Sequence, residues 1–356
     1  MSKISTNIIN WLRLYRAQTA PATVLSILLP YLLAGGRNPL AIIEIIVVGT
    51  LLHWFSFGHN SVMDYWYDIH DPNKKHHPLE AGAIKLEHAH QVIHYGLVLV
   101  FGLLALLTFY ISPSPAIALL FLMGYGMWGH AYNDGLDKNT SHSWISISSS
   151  ITCLVLYGWF LGTAEFNTIT ILVALWAFLT IFYQIAWEGN LKDLWNPAEK
   201  NNLLKKLGVK LELEYRHIDY EKGAKVEYWR MYVPSWLDKF MYYLRVGGNT
   251  FIVLLLAIML GYNFINNVMF TAMFIIMLIA SKLPVAKMHN LVKKPFRRQE
   301  LLELFGKAEA FEFYFFGTLL LLMDVWWLYF ILLIYGIGYF VAMNRLLWGT
   351  KFGPKV

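Results

Sequence analysis

At 356 residues the chain is long enough for two or three water-soluble domains, but 57% hydrophobic against 15% charged residues excludes that class. The mean hydropathy of +0.46 belongs to a polytopic membrane protein. The formal charge of +6 does not indicate nucleic acid, because the basic residues lie between apolar runs, as positive-inside topology requires. The single cysteine, Cys153, excludes an intrachain disulfide.

The first segment, MSKISTNIINWLRLYRAQTAP, lacks the long apolar core of a secretory signal. It reads as an amphipathic helix on the membrane, with Ile4, Ile8, Ile9 and Leu12 inward and Arg13 and Arg16 available to phosphate groups. Apolar spans follow near 20–37, 40–58, 91–110, 115–131, 143–162, 168–187, 246–265 and 267–284. The last apolar stretch, 311–344, is too long for one span and short for two, and Asp324, Trp326 and Trp327 could mark a turn or an interfacial belt within it. The expected fold is all-α: one polytopic membrane domain, 1–356, with nine or ten transmembrane helices.

Lys and Arg concentrate in the loops 59–90, 188–245 and 285–308, the last with Lys293, Lys294, Arg297 and Arg298. The opposite loops near 112–114, 163–167 and 262–266 have none, which sets the N-terminus and the long polar loops in the cytoplasm of a cell-membrane protein. Within 188–245 an amphipathic piece is followed by alternating polar and aromatic residues, a candidate cytoplasmic cap over a membrane-level cavity.

Chemistry concentrates at span ends on the cytoplasmic side. In NSVMDYWYDIHD, Asn60, Asp64 and Asp68 recur every fourth residue, so a helix carries all three oxygen ligands on one face. Such a set suits Mg²⁺, which takes a few carboxylates and completes its shell with water and phosphate oxygens. His53, two turns earlier, could bond a phosphate, and Lys74 and Lys75 could neutralise one; a solvated loop with positive-inside lysines is the plainer account. A second polar cluster holds Glu188, Asn190, Asp193 and Glu199, where a second Mg²⁺ or the neighbouring Lys192 and Lys200 would balance the acids. A third, Tyr132, Asn133, Asp134 and Lys138, could face the same cavity, although an Asn-Asp-Gly turn explains much of it.

These residues resemble the UbiA superfamily of intramembrane prenyltransferases. Its first motif, Asn-x3-Asp-x3-Asp, is matched by Asn60, Asp64 and Asp68, and its Arg-Pro-Leu-x-x-Gly segment by His77-Pro78-Leu79-Glu80-Ala81-Gly82. Its second motif, Asp-x2-Asp and a third Asp, is altered: Asn190 stands first, Asp193 second, and Asn196 or Glu199 approximates the third. Tyr132 and Lys138 match a family Tyr and Lys, one residue out of register.

The resemblance implies a helix bundle around a central cavity, with two acidic motifs holding Mg²⁺ and a polyprenyl diphosphate at the cytoplasmic mouth. Asp64, Asp68 and Asp193 are then the catalytic candidates, and Asn60, Asp64, Asp68, Glu188, Asn190 and Asp193 the metal set. Arg16, His53, Lys74, Lys75, Tyr132, Lys138 and Lys192 form the diphosphate-binding set. The implied partners are the bilayer, the diphosphate and a membrane-soluble aromatic or lipid acceptor, with no nucleic acid. A membrane terpene cyclase of the same superfamily is the alternative enzyme. A transporter is the alternative of another class, disfavoured because the acids gather at span ends rather than at the midplane.

Overall fold

The computed structural model describes residues 3–71, 74–136, 140–196, 201–219 and 224–350. A surface helix, α1 (Lys3–Leu14), leads into α2 (Ala20–Leu33), α3 (Pro39–Asp68), α4 (Leu86–Ile111) and α5 (Pro115–Ala131). Then come α6 (Ser143–Gly162) and α7 (Thr168–Tyr183), followed after a hairpin by α8 (Ser235–Tyr243), α9 (Asn249–Met259), α10 (Val268–Leu291), α11 (Arg298–Gly317) and α12 (Trp326–Trp348). Seven stretches are long and apolar enough to cross a membrane: α3, α4, α6, α7 continued to Trp195, α8 with α9, α10 and α12. The shorter α2 and α5 and the more polar α11 pack among them.

Helix α2 is buried on nearly every side, which is why its sequence is apolar all round. It packs on α6 through Gly158, where a Cβ would lie 2.2 Å from the carbonyl oxygen of Ile27, so only glycine permits this crossing. In contrast, α3 and α4 present Ile43, Val47, Val98, Leu99 and Leu106 outward, where lipid rather than protein would cover them.

The apolar stretch 311–344 is broken. Helix α11 ends at Gly317, a 3-10 turn occupies Thr318–Leu322, and α12 starts at Trp326. Asp324 lies in that turn and accepts from Arg37 at 2.7 Å, closing the end of the bundle opposite the acids.

The expectation of an all-helical chain needs correction in the 188–245 loop. Its alternating residues form an antiparallel hairpin, β1 (Lys210–Asp219) with β2 (Ala224–Tyr232), bulged between Leu213 and Tyr215. The hairpin is tied down where Trp229 and Phe296 exchange backbone hydrogen bonds of 2.8 and 2.9 Å. Arg13, read as open to phosphate, instead donates to the carbonyl of Leu347 at 2.7 Å and lies over Trp348, fastening α1 to the end of α12.

Candidate functional site

Helix α3 has 30 residues. At about 1.5 Å per residue it outreaches a hydrocarbon core of about 30 Å by several turns. Those extra turns carry Asn60, Asp64 and Asp68 beyond the apolar part, on the face predicted by their spacing. Asp64 and Asp68 are 8% and 3% exposed. Carboxylates at a helix C-terminus oppose the helix dipole and need a cation, and Lys74 donates to Asp68 at 2.6 Å. Lys75 is exposed.

The third polar cluster joins the first through one residue. A π turn, Tyr132–Leu136, opens at Tyr132 and delivers Asn133 to α3. Asn60 donates through Nδ2 to Asp64 Oδ2 and to Asn133 Oδ1, both at 3.1 Å, and Asn133 Nδ2 reaches His59 Nδ1 at 2.9 Å. Asn60 spends its amide nitrogen here, leaving its carbonyl oxygen as the atom suited to a cation. Asp134 is exposed, 4.0 Å from His130, and takes no part; Lys138 and Glu199 lie outside the described residues.

The segment His77–Gly82 is a turn. Gly82 adopts φ +67°, a conformation that favours glycine, and Leu79 anchors the turn at 2% exposure. His77, at the position of the family arginine, is bound to Glu80 at 2.6 Å.

His53 is held by protein partners. Its ring nitrogens contact Thr23 Oγ1 at 2.8 Å and Thr19 Oγ1 at 3.1 Å, with the carbonyl of Arg16 at 3.2 Å. Its effect is on Arg16, which has φ +46°, the sole positive φ among described non-glycine residues. That backbone state costs on the order of 1–3 kcal/mol and persists only where neighbours over-determine it. Here Thr19 and His53 both hold the Arg16 carbonyl, and the guanidinium lies over Phe57.

The second half of the expected site is built differently. After α7 the backbone runs through a π turn (Gln184–Gly189), one α turn (Asn190–Lys192) and a 3-10 turn (Asp193–Trp195). Asn190, expected as a metal ligand, donates through Nδ2 to Ile185 O at 2.7 Å and accepts through Oδ1 from Leu203 N at 2.8 Å. Asn202 donates to its backbone carbonyl at 2.7 Å. Through both of its polar atoms the Asn190 side chain staples this irregular chain to the 201–206 turn.

Glu188 is set among other charged side chains. It is 2% exposed, neither oxygen completes a hydrogen bond, and the charges acting on it are Glu309, Arg245, Glu312 and Lys282. Arg245, Lys192 and Arg16 in turn act on Glu309, placing this carboxylate pair where the N-terminal turn, the second segment and α11 converge. Asp193 remains partly exposed beside Lys192.

Sequence reasoning missed the interior charges. Glu312, fully buried, accepts from Lys282 at 2.6 and 2.8 Å and from Ser281 at 2.5 Å, with Arg245 at 3.5 Å. His289 joins Tyr183 (3.0 Å) to Asp238 (2.6 Å). The available signal was ionisable residues inside apolar runs, Lys282 above all. Arg298 was read as a topological charge only. It stands at the start of α11 with its guanidinium over Trp195, and Asp71 and Asp193 act on it.

Among the described residues no group of three or more His, Cys, Asp and Glu is arranged to hold a metal ion. The first half nonetheless fits Mg²⁺, since two buried carboxylates and an amide oxygen are the hard donors it takes when water and phosphate supply the rest. Among the described residues the second half offers fewer such donors, because both polar atoms of Asn190 bind backbone.

The UbiA prenyltransferase family profile matches residues 22–299, and the chain belongs to that family. It is a multi-pass membrane protein. No curated protein matches it in sequence. A UbiA homologue from Archaeoglobus fulgidus bound to GPP and Mg²⁺ is similar at TM-score 0.55 and 16% identity, over 87% of this chain and 99% of that one. The same homologue bound to DMAPP and Mg²⁺ gives TM-score 0.53 and 16% identity, over 87% and 98%. A structure described for digeranylgeranylglyceryl phosphate synthase gives TM-score 0.44 and 14% identity, over 96% and 99%.

Proposed function

We propose that this protein transfers a prenyl group from a polyprenyl diphosphate to a membrane-soluble acceptor, within one bundle of nine or ten membrane helices whose acidic mouth faces the cytoplasm. The observation that carries the reading is the Asn60, Asp64 and Asp68 ladder at the buried end of α3, with Lys74 on Asp68, in a chain of this family. The relatives bound to GPP or DMAPP and Mg²⁺ support the substrate class and the metal.

In this reading Asn60, Asp64 and Asp68 hold Mg²⁺, which when bound would neutralise the diphosphate as it leaves. Lys74, with Arg16 held towards the interior, adds positive charge where negative charge develops on the leaving group. The allylic C–O bond breaks with its electron pair going to the diphosphate, and the acceptor nucleophile bonds to the allylic carbon and releases a proton. The apolar bundle houses the isoprenoid tail and keeps out water that would quench the cation. The hairpin β1–β2, tied to Phe296, acts as the cap.

The test is incubation of the purified protein with Mg²⁺, a panel of prenyl diphosphates and native lipid extract, with products identified by mass. A prenylated acceptor is expected. A hydrocarbon or alcohol formed from the diphosphate alone would replace this reading with a cyclase, and no diphosphate release would remove it.

A further inference from the structure

Among the described residues the second half of the site brings no three metal-binding side chains together, but it holds a cation. We propose that Arg298 is the second cation of the diphosphate site, so that this chain binds its substrate with one divalent metal on the α3 side and a guanidinium on the other. The inference rests on the prenyl-diphosphate reading above and specifies how that site is charged.

Three observations meet at this residue. First, the leading residue of the second acidic segment is engaged: both polar atoms of the Asn190 side chain bind backbone. Second, Arg298 joins the two acidic segments by position. It is the first residue of α11, its Nη2 reaches the carbonyl of Lys192 at a long 3.5 Å, its Cζ lies over the Trp195 ring 5.5 Å from the centroid, and Asp71 and Asp193 are the acids acting on it. Asp71 follows Asp68 by one turn, its amide bonded to the Asp68 carbonyl at 2.9 Å. The end of the α3 ladder and Asp193 thus both bear electrostatically on the guanidinium.

Third, the guanidinium is under-satisfied. Its Nε and Nη1 are shut off from solvent without a hydrogen-bond partner. Unpaired buried donors are costly, and an anion with several oxygens relieves that cost. A planar fork with free N–H groups matches phosphate oxygens in pairs, and the Trp195 ring packs against the group. Lysine at this position would keep the charge and lose the fork. If Arg298 served packing alone, its removal would lower stability and leave anion affinity unchanged.

The experiment uses the full chain in detergent with Mn²⁺ in place of Mg²⁺ and a non-reactive thio-analogue of a prenyl diphosphate, measuring bound Mn²⁺ per chain by electron paramagnetic resonance and analogue affinity by calorimetry. One Mn²⁺ per wild-type chain is expected. Arg298→Ala is expected to weaken the analogue by about tenfold or more with the metal count unchanged, and Arg298→Lys to fall between. Two Mn²⁺ per wild-type chain would overturn the proposal while leaving the prenyl-diphosphate reading intact, and the metal count stands even if Arg298→Ala does not fold. Unchanged analogue affinity in Arg298→Ala would overturn it too. A wild-type chain that takes up Mn²⁺ but no analogue would remove the prenyl-diphosphate reading itself, and this proposal with it.

Discussion

At the end of α3 the acids stand on unbroken α-helix, whereas the segment after α7 changes from π to α to 3-10 geometry between Gln184 and Trp195. On the regular helix the fourfold spacing leaves Asp64 and Asp68 on one face, so their oxygens can serve a ligand. In the irregular segment the backbone loses its repeating bonds and side chains must replace them, so Asn190 serves the chain instead. The two segments look similarly polar in sequence. What separates them is whether the main chain can satisfy itself.

The largest effect that would sharpen this contrast is at the ladder. Asp64→Asn and Asp68→Asn are expected to lower turnover of a prenyl diphosphate by about 10³-fold or more, with unchanged yield of folded protein, because charge stabilisation at the leaving group is worth about 3–4 kcal/mol per contact. Kinetics beside a melting curve checks both halves of that statement. Wild-type rates in either variant would remove the metal role from α3.

Glu312→Gln should do the reverse. Lys282 and Arg245 would be left around a neutral amide in the bundle interior, and breaking such a buried pair costs about 3–5 kcal/mol. A marked fall in melting temperature is expected. The double variant Lys282→Met with Glu312→Leu should recover much of it, since it strands only Arg245.

How much of this was legible in the sequence follows the same division. Apolar run length located spans and the fourfold spacing set Asn60, Asp64 and Asp68 on one helix face, because regular helices print their spacing on the chain, while Asp324 was open between a turn and an interfacial belt. The alternation in KLELEYRHID was visible, but its pairing into a hairpin and the Phe296 contact across the fold were not. The use of Asn190 was invisible, since its partners Ile185 and Leu203 are defined only by an irregular backbone. Arg298 was invisible for another reason: a loop arginine in a membrane protein has topology as a sufficient explanation, and its stacking on Trp195 is a long-range contact.

Asn190→Asp tests that reading of the second half. Restoring an acid would help if the position were a ligand. As a staple it loses the donor to Ile185 O and buries charge beside a backbone carbonyl, a destabilisation of about 1–3 kcal/mol. The expected result is a lower melting temperature with no gain in Mn²⁺ uptake, and a second bound Mn²⁺ would return the residue to the metal set.

The smallest effect concerns His53, where the two kinds of residue are hardest to tell apart because it lies on α3 itself, seven residues before Asn60. His53→Leu removes the contacts to Thr23, Thr19 and the Arg16 carbonyl, while Thr19 still holds that carbonyl at 2.9 Å. The left-handed turn at Arg16 is therefore loosened but retained, and the guanidinium explores more orientations around Phe57. A residue that acts by aiming another should change substrate affinity more than the chemical step. The KM for the prenyl diphosphate is expected to rise about three- to tenfold, with kcat within about twofold of wild type. A fall in kcat as deep as that of Asp64→Asn would instead make His53 part of the ladder's own chemistry, and the division between ligand and support along α3 would have to be redrawn about two turns deeper into the bundle.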